Sequence, residues 1–359
     1  MSKHKSAVPT PKKKISVLVV DDAALVRALL SEMLNSDPRL RVVGVASDPY
    51  EAREIIKSKQ PDVMTLDIEM PKMNGIAFLK NVMRLRPMPV IMVSTLTHAG
   101  APATLEALSL GAVDFVGKPM SRGDAGLVDY RDLIIEKVVG AAAANIAGVE
   151  KNSGPAESLS SPKANGRKLK PNFICAIGAS TGGTEAIKEV LMRMPEDSPP
   201  ILVAQHIPAA FSTSFSQRLN DHSKITVKEA ADNMPIKPGH AYLAPGDDHL
   251  RVAKSSYGYL CKLDKSPVVN RHRPSVEVLF HSVMKALGDN CMGVLLTGMG
   301  ADGSQALLDM RNQGCFTIAQ DEATSVVWGM PGVAVKLGGA DKVLPLTKVA
   351  ASILQRSYE

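Results

Sequence analysis

Ser180 lies in Ile177-Gly178-Ala179-Ser180-Thr181-Gly182-Gly183, a G-x-S-x-G pattern between an apolar run at 173–176 and a helix-like segment at 184–194. At a strand-to-helix turn this spacing lifts a serine hydroxyl above a sheet edge and leaves backbone N–H groups free for an oxyanion. The five residues alone fit an ordinary glycine-rich βα turn better than they single out a nucleophile. Nucleotide binding fits poorly, because Thr184 follows Gly183 where a phosphate loop needs lysine, and Ser180 replaces the second glycine of G-x-G-x-x-G. A serine nucleophile also requires a base within reach and an acid that orients the base. His206 follows an apolar run at 201–205, and Asp302 lies in a glycine-rich loop, 297–303, after another. All three therefore belong to one sheet edge, where such sites assemble. The glycines around Asp302 could instead form an anion nest, but that loop contains no lysine or arginine. Among the other histidines, His281 falls inside a helical pattern at 276–287, and His98 and His222 read as surface residues. His240, His249 and His272 lie in loops that could border the site. No metal-ligand spacing such as H-E-x-x-H occurs in this half.

A second set of polar residues lies earlier in the chain. Asp21 and Asp22 follow the first strand-like run, Asp67 the third, Ser94 the fourth, and Lys118-Pro119 the fifth. Three carboxylates on one edge repel each other unless a cation joins them, and a hard divalent ion such as Mg²⁺ with oxygen ligands resolves this. With that ion and Lys118, Asp67 can accept a phosphoryl group as an aspartyl phosphate.

Both sets depend on alternating strands and helices. In the first half, strands are expected at 16–20, 42–46, 63–66, 90–93 and 114–116, and helices at 24–35, 50–59, 75–85 and 103–110, with a fifth after Asp129. Continuous apolar strands separated by helices imply a parallel sheet covered on both faces. The rhythm resumes after residue 172, with strands at 173–177, 201–204, 294–297 and 316–319 and helices after the first, third and fourth. Residues 239–265 read as antiparallel strands inserted at one edge. The expected architecture is a parallel α/β domain followed by a doubly wound, mainly parallel α/β domain. The division is a basic disordered arm at 1–14, the first domain at 15–140, a flexible linker at 141–170 and the second domain at 171–355.

Composition excludes several classes. Of the net charge of +6, Lys3, Lys5, Lys12, Lys13 and Lys14 supply five, which leaves +1 for the remaining residues. That is an arm and not a nucleic-acid footprint, and aromatic content of 4% offers few base-stacking surfaces. A DNA-binding output would need a helix-turn-helix or winged basic module, and residues 171–359 have neither pattern. The four cysteines show no C-x-x-C pairing and are expected as buried, reduced thiols. There is no signal-peptide core, and the longest apolar stretch, 138–149, is too short to span a bilayer. A soluble cytoplasmic protein with no membrane insertion is expected.

Asp21-Asp22, the run Leu66-Asp67-Ile68-Glu69-Met70-Pro71-Lys72-Met73-Asn74-Gly75, Ser94 and Lys118-Pro119 resemble a response-regulator receiver domain over roughly residues 14–138. The resemblance implies a flavodoxin-like fold and that Asp67 takes phosphate from a histidine kinase. It also implies that Asp22, Asp67 and the Glu69 carbonyl bind Mg²⁺ with Asp21 nearby, that Lys118 pairs with the phosphoryl oxygens, and that Ser94 contacts them and switches the surface. The order Ser, His, Asp is not that of an α/β-hydrolase, which runs Ser, Asp, His. Segments 177–185, 204–208, 238–249, 272–276, 296–303 and 328–332 are similar instead to the catalytic domain of the chemotaxis protein-glutamate methylesterase (CheB) family. That similarity implies Ser180 as nucleophile, His206 as base and then acid, and Asp302 as the orienting carboxylate. The Met299 N–H would donate to the oxyanion, with Thr181 and Met330 beside the site and no cofactor in this half. The implied substrates are glutamate γ-methyl esters on methyl-accepting chemotaxis receptors, with glutamine deamidation as a second activity and a monomer as the working unit. The alternative is a receiver coupled to an output domain that only binds.

Overall fold

The computed structural model describes residues 13–95, 97, 99–118, 124–146 and 168–359. Most of the expected basic arm and linker, together with His98 and Pro119, lie outside the described residues.

The first unit runs β1 (Ile15–Val20), α1 (Ala24–Asn35), β2 (Leu40–Ala46), α2 (Pro49–Lys59), β3 (Val63–Asp67), α3 (Gly75–Leu85), β4 (Val90–Ser94), α4 (Ala101–Ser109), β5 (Asp114–Gly117) and α5 (Asp124–Ala142). Its five strands pair in parallel in the order β2-β1-β3-β4-β5. All residues of β3, β4 and β5 are buried, as continuous apolar strands between two helical layers require. Asp48 caps α2 by accepting from the Tyr50 and Glu51 N–H groups, and Asn74 caps α3 by accepting from Ile76 N–H. The acidic and basic residues are left at the carboxyl ends of the strands.

The second unit contains a seven-stranded sheet made of β6 (Ile174–Ala179), β7 (Ile201–Gln205), β8 (Thr226–Glu229), β9 (His240–Leu243), β12 (Cys291–Leu295), β13 (Phe316–Gln320) and β14 (Lys342–Leu344). The order is β14-β13-β12-β6-β7-β9-β8, and every pair is parallel. The helices are α6 (Gly183–Leu191), α7 (Ala209–His222), α8 (Val276–Leu287), α9 (Ser304–Asn312), α10 (Met330–Leu337) and α11 (Leu346–Ser357). From β6 the chain passes to β7, then to the edge strand β8, places β9 between those two, and returns to β12 on the other side. The crevice at that reversal is where open α/β sheets bind ligands.

Three expectations need correction. Residues 239–265 are not all an antiparallel insertion. His240–Leu243 is a parallel member of the main sheet, and only β10 (His249–Ser255) and β11 (Gly258–Asp264) form an antiparallel pair, separate from it. A helix, α7, also follows the second strand. Its buried face includes Ser212 and Ser216 beside Phe211, Phe215 and Leu219, which blurs the apolar period. The edge strands β8 and β14 were missed because they are short and partly exposed.

The two units touch through β5, α4 and α5 of the first. The Phe115 and Phe211 rings lie 4.9 Å apart, and Asp114 receives Lys137 Nζ at 2.7 Å and Thr181 Oγ1–H at 2.5 Å. Asn145 donates to the Val326 and Ala323 carbonyls. At the other end of the expected linker, Leu169 bridges to Tyr358. The four cysteines are buried and free, as expected. No helix among the described residues is long and apolar enough to cross a membrane.

Candidate active site

Ser180 stands at the turn between β6 and α6. Gly182, at φ +75°, caps α6 in a left-handed conformation that side chains rarely adopt. The turn is pinned from two sides, since Ser180 N–H donates to the Thr297 carbonyl at 3.0 Å and Gly183 N–H to the Ser180 carbonyl at 2.7 Å. The Ser180 hydroxyl meets His206 Nδ1 at 3.0 Å, and His206 Nε2 meets Asp302 Oδ2 at 2.8 Å. An ionised Asp302 can only accept, so Nε2 carries the proton and the Nδ1 lone pair faces the hydroxyl. A connected Ser-His-Asp line therefore spans the ends of β6, β7 and β12.

Asp302 is buried, and burial alone would raise its pKa. Hydrogen bonds from His206, from Asn270 Nδ2 at 2.8 Å and from Val276 N–H at 2.6 Å outweigh that and draw it down to about 2. Ser275 Oγ–H adds a fourth at 2.8 Å and Glu277 N–H a fifth at 3.3 Å. The carboxylate thus sits at the start of α8, where exposed N–H groups favour an anion. Sequence reasoning missed this cradle of Asn270, Ser275 and α8. Its readable signal was Ser275, an N-cap residue directly before the helical run.

His272 stacks on His206, with ring centroids 3.5 Å apart and planes 8° from parallel. Burial, then the neighbouring His206, lowers its pKa to about 4. His249, which the sequence left as a possible border residue, is buried between Pro267 and Ser275, and His281 pairs with Asp309. Met330 is buried with its carbonyl receiving Ser304 Oγ–H. No acceptor among the described residues takes the Met299 N–H. The Met299 side chain packs on α5, where a Cβ at Gly140 would fall 2.0 Å from its sulfur. Thr181 turns its hydroxyl to Asp114 of the first unit rather than into the cleft. A cavity of about 710 Å³ lies over Ser180 and His206, and residues of β5 and α5 form its opposite wall.

In the first unit, oxygens of Asp21, Asp22 and Asp67 lie within 4.8 Å of one another. Lys118 Nζ is 2.8 Å from Asp67 Oδ2 and 3.2 Å from Asp21 Oδ2. Burial raises the Asp67 pKa to about 6, Lys118 opposes the rise and Asp21 adds to it. Asp21 Oδ2 is buried and, despite the nearby ammonium, has no hydrogen bond of good geometry. Three carboxylates against one ammonium, with a buried oxygen left unsatisfied, fit a hard divalent cation. Glu69 lies two residues after Asp67, its N–H 3.3 Å from Asp67 Oδ1, and Ser94 is buried at the end of β4 with Oγ 3.5 Å from Thr104 Oγ1.

Sequence comparison matches residues 175–353 to the family described as CheB methylesterase and residues 17–125 to the response regulator receiver domain. A protein-glutamate methylesterase/protein-glutamine glutaminase of Saccharophagus degradans is 60% identical over 347 residues, which cover 97% of this chain and 100% of the relative. One from Hydrogenovibrio crunogenus is 52% identical, covering 95% of this chain and 98% of the relative. The crystal structure of the Thermotoga maritima CheB methylesterase catalytic domain superposes with TM-score 0.50 at 38% identity, covering 51% of this chain and 97% of that one.

Proposed function

Because the chain belongs to the CheB methylesterase family, with a receiver domain ahead of the hydrolase, we propose that Ser180, His206 and Asp302 carry out its chemistry. The activity is phosphorylation-controlled hydrolysis of protein glutamate methyl esters, and of glutamine amides, in chemotaxis. The reading rests on the continuous line from Ser180 Oγ through both His206 nitrogens to Asp302.

Ser180 Oγ attacks the ester carbonyl while its proton passes to His206 Nδ1. Asp302 stabilises the imidazolium through Nε2–H, and the Met299 N–H donates to the oxyanion. His206 returns the proton to the departing methoxide, which leaves as methanol. Water, deprotonated by His206, then attacks the acyl-serine, and release of glutamate restores Ser180. With a glutamine substrate the leaving group is ammonia.

The receiver supplies the control, with a histidine kinase as phosphodonor and the receptor as substrate. Asp67 is the phosphoryl acceptor, and Asp22, Asp67 and the Glu69 carbonyl, with Asp21 alongside, would hold Mg²⁺, which neutralises charge on the transferring group. Lys118 binds the phosphoryl oxygens and Ser94 relays the change to the surface. The division into units at 15–140 and 171–355 is supported by two separate sheets. Receiver residues walling the cleft support inhibition by occlusion.

Methanol release from methylated receptors tests the assignment. Ser180→Ala should fold and lose on the order of 10⁴- to 10⁶-fold, and Ser180→Ala/His206→Ala little more, because the two act as one unit. A single variant that keeps a tenth of the activity would end the assignment.

A further inference from the structure

The two walls of the cleft carry opposite charge. On the receiver side α5 presents Asp129, Asp132 and Glu136, and on the catalytic side the loop before α8 presents Arg271 and Arg273. Lys137 on the receiver wall is committed to Asp114, and Asp247 is the acid on the catalytic wall. Asp132 also meets Arg131, while Arg271, 81% exposed in its side chain, reaches Glu136 at 3.9 Å.

The backbone under Arg271 is costly. Val269 and His272 exchange N–H···O bonds of 3.1 and 2.9 Å, and the two residues between them, Asn270 and Arg271, have φ of +51° and +67°. That is a two-residue turn of the type that prefers Asn-Gly. Asn270 fits and also holds Asp302. Arginine at the second position is strained where glycine would be free, and strain retained at a site points to a use for the side chain. The same loop turns His272 inward onto His206 and leaves Arg271 exposed at the edge of the cleft, so a charge at the rim is fixed relative to the triad. Arg273 has its Nη1 donating to the Lys265 and Ser266 carbonyls and its Nε–H buried without a partner, which leaves the rest of the guanidinium to face the cleft that it lines.

We propose that Arg271 and Arg273 form a cationic rim that binds free carboxylates flanking the ester on the substrate helix. While the cleft is closed, Asp129, Asp132 and Glu136 of the receiver stand in for those carboxylates. The proposal rests on the hydrolase reading and names the substrate feature read by that site. Opposite charge across an interface selects partners and register. A helix carrying glutamates one turn from the ester supplies the charges that α5 supplies in the closed chain.

The test uses the full chain with acetyl phosphate and Mg²⁺ and two helical peptides, each bearing one glutamyl methyl ester. One has Glu and the other Ala at the positions four residues either side. Methanol release from the wild type should favour the Glu-flanked peptide. Arg271→Gly, which relieves the turn and so should not lower the melting temperature, should cut that kcat/KM ratio by roughly threefold to tenfold, chiefly through KM. Arg271→Glu should lower the ratio further. A ratio unmoved by both substitutions, or equal loss on both peptides, overturns the proposal and leaves the hydrolase intact. No methanol from either peptide with wild type overturns the hydrolase reading and the proposal together.

Discussion

His272 is held neutral against His206, and that carries a consequence for stability. Its pKa falls from about 6.5 in an unfolded chain to about 4 in the fold. The unfolded state therefore binds more protons between these values. The contribution is present above pH 6.5 and lost as pH falls toward 4, by ~3 kcal/mol at most. Asp302, at about 2, loses its own contribution only at lower pH, so it does not confuse this window. His272→Leu should thus flatten the fall in melting temperature between pH 6.5 and 4.5. A wild type and variant with parallel curves across that range would show that His272 is not held neutral.

At the scale of elements, the triad depends on how closely α8 approaches β6. A Cβ at Gly178 would lie 2.1 Å from Val276 Cγ1, and Val276 is the residue whose N–H holds Asp302. Gly178→Ala must push the start of α8 away or strain the strand, a misfit that typically costs 1–3 kcal/mol. Because the displaced helix end carries the Asp302 cradle, kcat should fall together with stability. Chemical denaturation paired with methanol-release kinetics checks this. A destabilised variant with wild-type kcat would separate α8 from the catalytic geometry.

At the scale of the molecule, the question is how the receiver governs a site that it faces. Its contacts include Asp114 on Thr181, Phe115 on Phe211 and Gly140 against Met299. All lie next to the turn bearing Ser180, the helix that follows His206, or the loop bearing Met299. A tether keeps such contacts formed at high effective concentration. Each tenfold rise in open population needs only about 1.4 kcal/mol of differential stabilisation. A fragment beginning near Lys168 should therefore demethylate receptors faster than the unphosphorylated chain. Acetyl phosphate with Mg²⁺ should bring the whole chain to that rate or beyond, and Asp67→Asn should not respond. A fragment no faster than the resting chain would mean that the receiver builds the site instead of covering it.

The sequence by itself determined the two α/β units and the strand ends bearing Ser180, His206, Asp302, Asp67 and Lys118. Each of these follows a short, continuous apolar run, and in a parallel sheet local order along the strand decides which edge a residue occupies. It could not show that His240–Leu243 joins the main sheet while the next two strands leave it, because both alternate alike and pairing is a long-range choice. Nor could it show α7, whose buried serines erase the helical period. Only the tertiary structure placed Asn270 and Ser275 on Asp302, His272 on His206 and Asp114 on Thr181. Asp114 and Thr181 are separated by 67 positions. Their meeting is set by how two separate sheets dock, which no local periodicity records.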